Sequence, residues 1–430
     1  MNPIVQHRRV LAAALSGTAV EFYDFYVYAT AAALVFGHLF FPAESASAQL
    51  LLSLMSFGLA FIARPIGAIA FGHFGDRIGR KSTLVASLLL MGISTLLIAF
   101  LPTYQMVGWI APALLCVLRF GQGFGLGGEW GGAALLAVEN APKGWEARFG
   151  SAPQLGAPVG FLAANGLFLL LGLWLPEEAF NSWGWRIPFL LSAVLVSLGL
   201  WVRLKITETP AFSEALEKEA PPMVPLGRLL RNHWGPVVAG SAGVIACFAI
   251  FYLSTAFALG HLTTVRGMER EIVLGVQLAA NTFLAIGIVV AAIWADKTSP
   301  RLVLCTGAVA TALLGLVFGP VLGEGSLAVV FATLALSLFI MGLVYGPLGA
   351  WLPTLFPPFV RYTGVSVAFN AGGIIGGAVV AVEAQRIAMT GGVAMIGLFL
   401  TIAGLLTFAG LMLARPTRDI VPVQAEPLIP

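Results

Sequence analysis

Twelve long apolar runs, separated by short polar turns, decide what this 430-residue chain can become. They fall near 10–38, 47–74, 82–101, 108–139, 147–175 and 186–204, and then near 234–264, 270–295, 301–323, 326–355, 362–388 and 392–414. Most approach or exceed the ~20 residues a helix needs to cross a ~30 Å hydrocarbon layer. Inside that layer the backbone must satisfy its own hydrogen bonds, which leaves helices or a closed barrel, and runs this long with no two-residue alternation predict helices. Charged residues make up only 10% of the chain, against about a quarter in soluble proteins, and mean hydropathy is +0.93. The expected class is an all-α integral membrane protein. His7-Arg8-Arg9 before 10–15 superficially resembles the start of a signal peptide, but Glu21 and Asp24 interrupt its continuation and no cleavage context follows. The segment is read as the first span.

The positions of the cations orient the chain. With both termini placed in the cytoplasm, 17 of the 23 Lys and Arg residues fall on the inner side and four on the outer; Arg64 and Arg119 lie within helices. Cytoplasmic loops are the ones that collect cations, so both ends are expected inside. Polar and proline residues gather at 205–232, which reads as a cytoplasmic linker with a short amphipathic helix at 210–220. The expected division is 1–204 and 233–415 as two six-helix bundles, with a short cytoplasmic tail at 416–430. A faint repeat supports two related halves. Asp76-Arg77-Ile78-Gly79-Arg80-Lys81 has a degraded echo in Asp296-Lys297-Thr298-Ser299-Pro300-Arg301, and Glu139 with Pro142 is echoed by Thr354 with Pro357.

Charges within the apolar runs need a reason, because each costs about 2.5–3.5 kcal/mol on insertion scales. Glu21 and Asp24 share one side of the first helix, a stripe that Gly17 and Tyr28 continue. At 1.5 Å per residue they lie roughly 16–21 Å from the helix start, Arg119 lies about 16 Å in from the other end of the fourth helix, and Arg64 lies ~18 Å above Asp76. Two carboxylates and two guanidiniums therefore converge near mid-membrane in the first half. Gln122 lies between Arg119 and Glu129 on nearly the same side, with Glu129 nearer the cytoplasm. A fixed ion-pair cluster locking helices is one reading, yet small-residue packing locks helices at lower desolvation cost. The functional reading has a carboxylate take up a proton while an arginine engages an anionic substrate group. Asn281, Gln277, Asn370, Tyr252 and Tyr345 are candidates for an opposite wall, and Glu383 with Arg386 reads as a structural pair.

Other patterns exclude other functions. Gly123-Phe124-Gly125-Leu126-Gly127-Gly128 fits a dinucleotide fingerprint but has no strand before it, so those glycines, like Gly372, Gly373, Gly376 and Gly377, read as close helix contacts. Cys116, Cys247 and Cys305 all fall in apolar runs, and the histidines have no ligand spacing. No metal, cofactor or nucleic-acid partner is expected, nor an enzyme, since no nucleophile-base-orienter set is present.

The sharpest motif is Gly72-His73-Phe74-Gly75-Asp76-Arg77-Ile78-Gly79-Arg80-Lys81, read as a tight glycine-hinged cytoplasmic loop between the second and third helices. It resembles the G-x-x-x-D-R-x-G-R-K loop of the major facilitator superfamily. Gly17-Thr18-Ala19-Val20-Glu21-Phe22-Tyr23-Asp24-Phe25, Phe61-Ile62-Ala63-Arg64-Pro65-Ile66-Gly67, Arg119-Phe120-Gly121-Gln122-Gly123, Gly127-Gly128-Glu129-Trp130, Glu139-Asn140-Ala141-Pro142 and Trp183-Gly184-Trp185-Arg186-Ile187-Pro188-Phe189 are similar to one branch of it. That branch comprises the metabolite:proton symporters, which carry oxoglutarate, citrate, shikimate and proline or betaine. The resemblance implies twelve transmembrane helices in two pseudo-symmetric bundles, an inner-membrane location, alternating access, and uptake of a small organic acid or zwitterion with a proton. It makes Glu21 and Asp24 the proton-coupling residues and Arg64 and Arg119 the substrate or charge-relay residues; by their helix positions Glu129 is expected to join the first set and Gln122 and Tyr28 the second. Gly72, Asp76, Arg77, Gly79, Arg80 and Glu139 would form a cytoplasmic gate, with Glu139 latching to Arg77 or Arg80. In the second half the echo lacks the Gly-Arg-Arg pattern and Thr354 stands where an acid is usual, so a weakened second latch is expected. The expected partners are a carboxylate or zwitterion, protons and the lipid bilayer, and the expected state is a monomer. A proton-independent facilitator or exchanger is the alternative, and a non-transporting sensor on the same scaffold is another.

Overall fold

The computed structural model describes residues 7–78, 80–127, 129–205, 225–357, 360–390 and 392–416; within these, the side chains of 8–10, 13, 72–78, 80–84, 129, 136, 201–205, 225–226, 228, 230 and 381 lie outside the description. No strand occurs among the described residues. Among the described residues ten helices are long and apolar enough to cross a membrane: α1 (Ala14–Phe40), α2 (Ala46–Phe71), α4 (Ile110–Glu139), α5 (Glu146–Trp174), α7 (Trp234–Val265), α8 (Arg270–Lys297), α9 (Pro300–Glu324), α10 (Leu327–Leu355), α11 (Arg361–Thr390) and α12 (Val393–Leu413). Two shorter apolar helices, α3 (Val85–Ile98) and α6 (Gly184–Leu200), complete the twelve. Their lipid-side residues are apolar and exposed, such as Ile62, Ile66 and Ile69 on α2 and Leu313 and Leu316 on α9. In water such a surface would be an aggregation hazard; in hydrocarbon it is the solvated face.

The packing repeats with an offset of six helices. In the first half α1 packs on α5, α2 on α4 and α3 on α6; in the second, α7 packs on α11, α8 on α10 and α9 on α12. Across the halves α5 meets α8 and α11 meets α2, which is again one relation applied twice. Glycine makes the closest of these contacts possible. A Cβ on Gly67 would lie 1.9 Å from the Phe124 carbonyl oxygen, and one on Gly123 would lie 2.3 Å from that of Ala60. In the corresponding pair, a Cβ on Gly287 would lie 2.4 Å from the Phe339 carbonyl oxygen. Backbones this close gain dispersion contact where no hydrophobic effect operates between helices. Gly123 and Gly127 of the nucleotide-like pattern are thus packing glycines. Corresponding helices also share local widening, with π-type turns at Ala32–Phe36 in α1 and at Leu253–Phe257 and His261–Val265 in α7.

Two expectations need correcting. The stretch 72–81 is not a loop. The helix that begins at Ala46 continues to Ile78, and the next begins at Arg80; Gly79 lies outside the described residues. Once a helix is nucleated, each added residue gains a backbone bond, and polar residues beyond the apolar stretch can extend it into water. Likewise α4 is interrupted: it runs Ile110–Leu126 and resumes at Glu129, with Gly127 in the break. The proposed 210–220 helix lies outside the described residues, but Pro225–Asn232, counted in the linker, is helical.

Candidate functional site

A cavity lies between the halves and takes its walls from both. The first half contributes Glu21, Phe22 and Tyr26 from α1, Arg64 from α2, Leu126, Gly127, Trp130 and Gly131 from α4, and Ala157 from α5. Facing them are Cys247, Phe248, Phe251 and Tyr252 from α7, Met341 and Tyr345 from α10, and Ser366, Phe369 and Asn370 from α11. Its volume, taken as room for the centres of water molecules, is about 30 Å³. That is space for about two waters and not for a metabolite.

Contacts join the halves at both faces. At the face where α2 and α3 meet, Asp296 at the end of α8 accepts the Ala147 N–H at 2.8 Å, the Arg148 N–H at 3.2 Å and Arg148 Nε at 2.5 Å. The two amides are unpaired donors in the first turn of the Glu146–Ser151 helix, so Asp296 caps a helix of the other half while pairing with its arginine. The degraded echo therefore still joins the halves, against the expected weakening. The Asp matters and the lost Gly-Arg-Arg does not, because a carboxylate alone can take both backbone donors. At the opposite face Gln385 Nε2 donates to the Ser47 carbonyl at 3.3 Å, and the Arg270 guanidinium lies 3.9 Å from the Phe180 ring centre. Between these levels, Asn370 Nδ2 reaches the Gly127 carbonyl at 3.1 Å, Asn281 Nδ2 the Pro158 carbonyl at 2.9 Å, and the Trp130 ring stacks on Phe369 at 3.6 Å.

The four buried charges of the first half are together, but they divide into two layers. Glu21 and Arg64 line the cavity. Asp24 and Arg119 stand behind that wall, 1% and 0% exposed. The expected shared side of Glu21 and Asp24 thus fails at the level of contacts. Residues three apart point about 60° apart around a helix, enough for two sets of neighbours. Asp24 turns to α6 and α3, where Ser192 donates to Oδ1 at 2.5 Å and Thr95 to Oδ2 at 3.4 Å. Gln122 Nε2 donates to Thr95 Oγ1 at 2.7 Å, and Arg119 Nη1 donates to Gln122 Oε1 at 2.9 Å. A continuous hydrogen-bonded chain therefore joins Arg119 to Asp24 through two neutral groups. The Thr95 hydroxyl also lies 2.9 Å from the Met91 carbonyl, so its single proton has two acceptors to choose between.

Aromatic rings solvate the guanidiniums. Phe25 lies between them, its centre 4.5 Å from Arg64 Cζ and 4.4 Å from Arg119 Cζ. Tyr28 and Phe57 add faces at 4.1 and 4.8 Å from Arg119, and Tyr28 itself is held by a 2.8 Å hydrogen bond to Ser56. Each such face is worth about 0.5–2 kcal/mol when desolvated. Among the described residues no ion pair joins Arg64 or Arg119 to Glu21 or Asp24. Arg64 Nε and Arg119 Nη2 are buried without a hydrogen-bond partner among the described residues.

Other expected residues fall as follows. Tyr252, Tyr345 and Asn370 do line the opposite wall, whereas Gln277 is engaged with the Ser254 and Thr255 carbonyls at 3.0 and 2.9 Å. Arg119, Gln122 and Tyr28 are not on the cavity surface. Glu139 is exposed at the end of α4, and Glu383 pairs with Arg386 at 2.6 Å on an exposed flank. The side chains of Gly72, Asp76, Arg77, Arg80 and Glu129, and all of Gly79, lie outside the described residues. Sequence reasoning missed Thr95, Ser192, Trp130, Phe369 and Ser366. Single hydroxyls and rings in apolar runs carry no pattern, although Trp130 sits inside a quoted motif.

Comparison with known proteins agrees with this architecture. The family described as "Sugar (and other) transporter" matches residues 10–220. The inner membrane metabolite transport protein YhjE of Escherichia coli (strain K12) is 47% identical over 424 residues, covering 97% of this chain and 96% of that protein. The shikimate transporter of the same organism is 38% identical over 373 residues, 86% of this chain and 85% of that one. Among solved structures, the proton:xylose symporter XylE bound to 6-bromo-6-deoxy-D-glucose superimposes with a TM-score of 0.74 at 18% identity, covering 94% of each chain. The last likeness speaks to the fold alone.

Proposed function

This chain belongs to the major facilitator superfamily of membrane transporters, among its metabolite transporters, and we propose that it imports a small organic acid or zwitterion together with a proton. The membrane would be the bacterial inner membrane, as for the inner membrane relative 47% identical to it. The face where α2 and α3 meet would be cytoplasmic, the side to which the cation bias assigns both termini. Residues 1–204 and 233–415 would rock as two bundles about the central cavity, joined through 205–232, in alternating access. Gly72, Asp76, Arg77, Gly79, Arg80 and Glu139 would gate the cytoplasmic side, together with Asp296 and Arg148.

One observation carries the coupling: a carboxylate, Glu21, and a guanidinium, Arg64, line the same narrow cavity, and no ion pair joins the two. An unpaired arginine beside the cavity can hold a substrate carboxylate, and an acid beside it can be neutralised by a proton as that charge arrives. Asp24 would sense the same event through Thr95, Gln122 and Arg119. Glu129 is the third coupling acid in this reading, and Tyr28 positions Arg119 through its ring.

The test is uptake into proteoliposomes of labelled dicarboxylates, tricarboxylates, cyclic hydroxy acids and betaines, with an inward proton gradient and again with a protonophore. Uphill accumulation that the protonophore collapses supports symport. Equilibration indifferent to the gradient replaces it with facilitated diffusion and demotes the buried acids to structural roles.

A further inference from the structure

We propose that the interface between the halves contains a one-water site, separate from the central cavity, and that this water bridges α5 to α8 as a latch. The site is a second, smaller pocket on the side of the central cavity away from the α2–α3 face. Its volume by the same measure is about 10 Å³, roughly the room that the centre of a single water needs. Three rings in mutual contact partition it from the central cavity. Tyr26 and Phe161 lie 5.5 Å apart between centres, Tyr26 and Phe251 5.2 Å, and Phe161 and Phe251 6.0 Å. Phe251 lines the central cavity, Phe161 lines the second pocket, and Tyr26 lines both.

Polar groups converge on this small space from four helices: Thr30 from α1, Asn165 from α5, Thr255 from α7 and Gln277 from α8. The bonds from Gln277 Nε2 to the Ser254 and Thr255 carbonyls engage its donors at the π-type turn of α7. Its Oε1 is buried without a partner among the described residues, in a residue 1% exposed. On the other half the Thr30 hydroxyl donates to Asn165 Oδ1, and no described hydrogen bond uses Asn165 Nδ2, although that residue too is 1% exposed. The Thr255 hydroxyl donates to the Phe251 carbonyl at 2.7 Å and keeps its lone pairs. An unmet acceptor thus stands on one half and an unmet donor on the other, and each is costly to bury alone. One water matches both. It accepts from Asn165 Nδ2 and donates to Gln277 Oε1, and its second proton has the Thr30 and Thr255 oxygens to choose between. About three bonds is the usual number for a buried water.

The same lining says what the site rejects. Among its described residues there is no Asp, Glu, Lys or Arg, so an ion would sit uncompensated at this depth. The volume rejects any molecule much larger than water. The bridge also differs in kind from the α2–α3 face, where Asp296 bonds directly to Arg148 and two amides. When the halves part, a bridging water joins the bulk and each of its partners is hydrated, so closure on this side is readily undone. The latch rests on the two bundles rocking against each other; the water site does not, and neither depends on protons.

Two measurements on the full chain test the proposal. A map of the closed state that resolves ordered waters should show one within hydrogen-bonding distance of both Gln277 Oε1 and Asn165 Nδ2. Ala29 of α1 and Ala256 of α7 line the pocket, so a side chain added at either can take that water's place. A hydroxyl there keeps the bridge, whereas a pair of methyls breaks it. In a chain carrying Leu259→Cys, on the same pocket, labelling by a water-soluble maleimide in proteoliposomes reports opening, read by mass spectrometry at that cysteine. Ala256→Val should speed labelling at least about threefold, while Ala256→Ser leaves it near the rate of Leu259→Cys alone. Ala29→Val and Ala29→Ser repeat the comparison from the other half, should the Ala256 variants fail to fold. Ordered waters elsewhere in the map but none in this pocket overturn the site. Labelling no faster with valine than with serine overturns the latch, since the bridging hydrogen bonds then do not hold the halves.

Discussion

The two halves share a packing scheme and differ in chemistry. Helices α1–α6 bury two carboxylates and two guanidiniums, Glu21, Asp24, Arg64 and Arg119. Helices α7–α12 bury amides, hydroxyls and one histidine at the level of the cavity; the carboxylate of Asp296, 2% exposed, sits at the end of α8 against Arg148 of the other half. Around the cavity the pseudo-symmetry is thus mechanical only. Matching helix pairs and matching glycine contacts give both halves the same way of moving, while the ionisable work is confined to one of them. A neutral half can close on the charged one without adding charge to the cavity, which is what a site that must close both empty and loaded requires.

Substitutions can break this contrast. The largest effect is expected from Arg64→Gln, which removes the cavity's cation: uptake should fall at least about 100-fold, ~2.7 kcal/mol of lost stabilisation. Arg64→Lys should recover only part of it, because a point charge does not reproduce the planar fork. Next, Asp24→Asn keeps an acceptor oxygen for Ser192 but cannot hold a charge; proton-driven accumulation should vanish in uptake assays while exchange of labelled for unlabelled substrate persists. Third, Asn370→Ala removes a neutral bond from the second half to the Gly127 carbonyl, and a loss of about 1 kcal/mol, some fivefold in rate, is expected. If Asn370→Ala costs as much as Arg64→Gln, the contrast between charged and neutral halves is wrong.

Smaller effects bear on the ends of the cavity. Asp296→Ala removes three bonds between the halves and should expose the interior from the α2–α3 face, read as faster labelling of a cysteine introduced at Ala157, with uptake reduced only a few-fold. The smallest is Glu383→Gln, which breaks an exposed pair worth about 0–1 kcal/mol and should leave uptake and melting temperature unchanged.

Apolar run length exposed the helices, and the cost of a buried charge exposed the four ionisable residues. What the sequence hid is which neighbour each side chain meets. Glu21 and Asp24 are three residues apart, yet one faces the other half and the other faces Ser192 and Thr95. Helical spacing fixes the angle between them and says nothing of what packs on either side. The 72–81 stretch looked like a loop because glycine and charge interrupt hydropathy, whereas backbone hydrogen bonding continues through both. The echo at Asp296 looked degraded because a motif was counted residue by residue. Its function in the fold needs one carboxylate opposite two free amides, and that survived.

The central claim is that buried acids of the first half, rather than a permanent ion-pair cluster, couple transport to protons. The most direct measurement compares uphill uptake with substrate exchange for the wild type, Glu21→Gln and Asp24→Asn in the same proteoliposomes. The account predicts that both variants lose accumulation driven by the proton gradient and keep exchange. Full accumulation in both would contradict it and leave the four charges as a structural cluster.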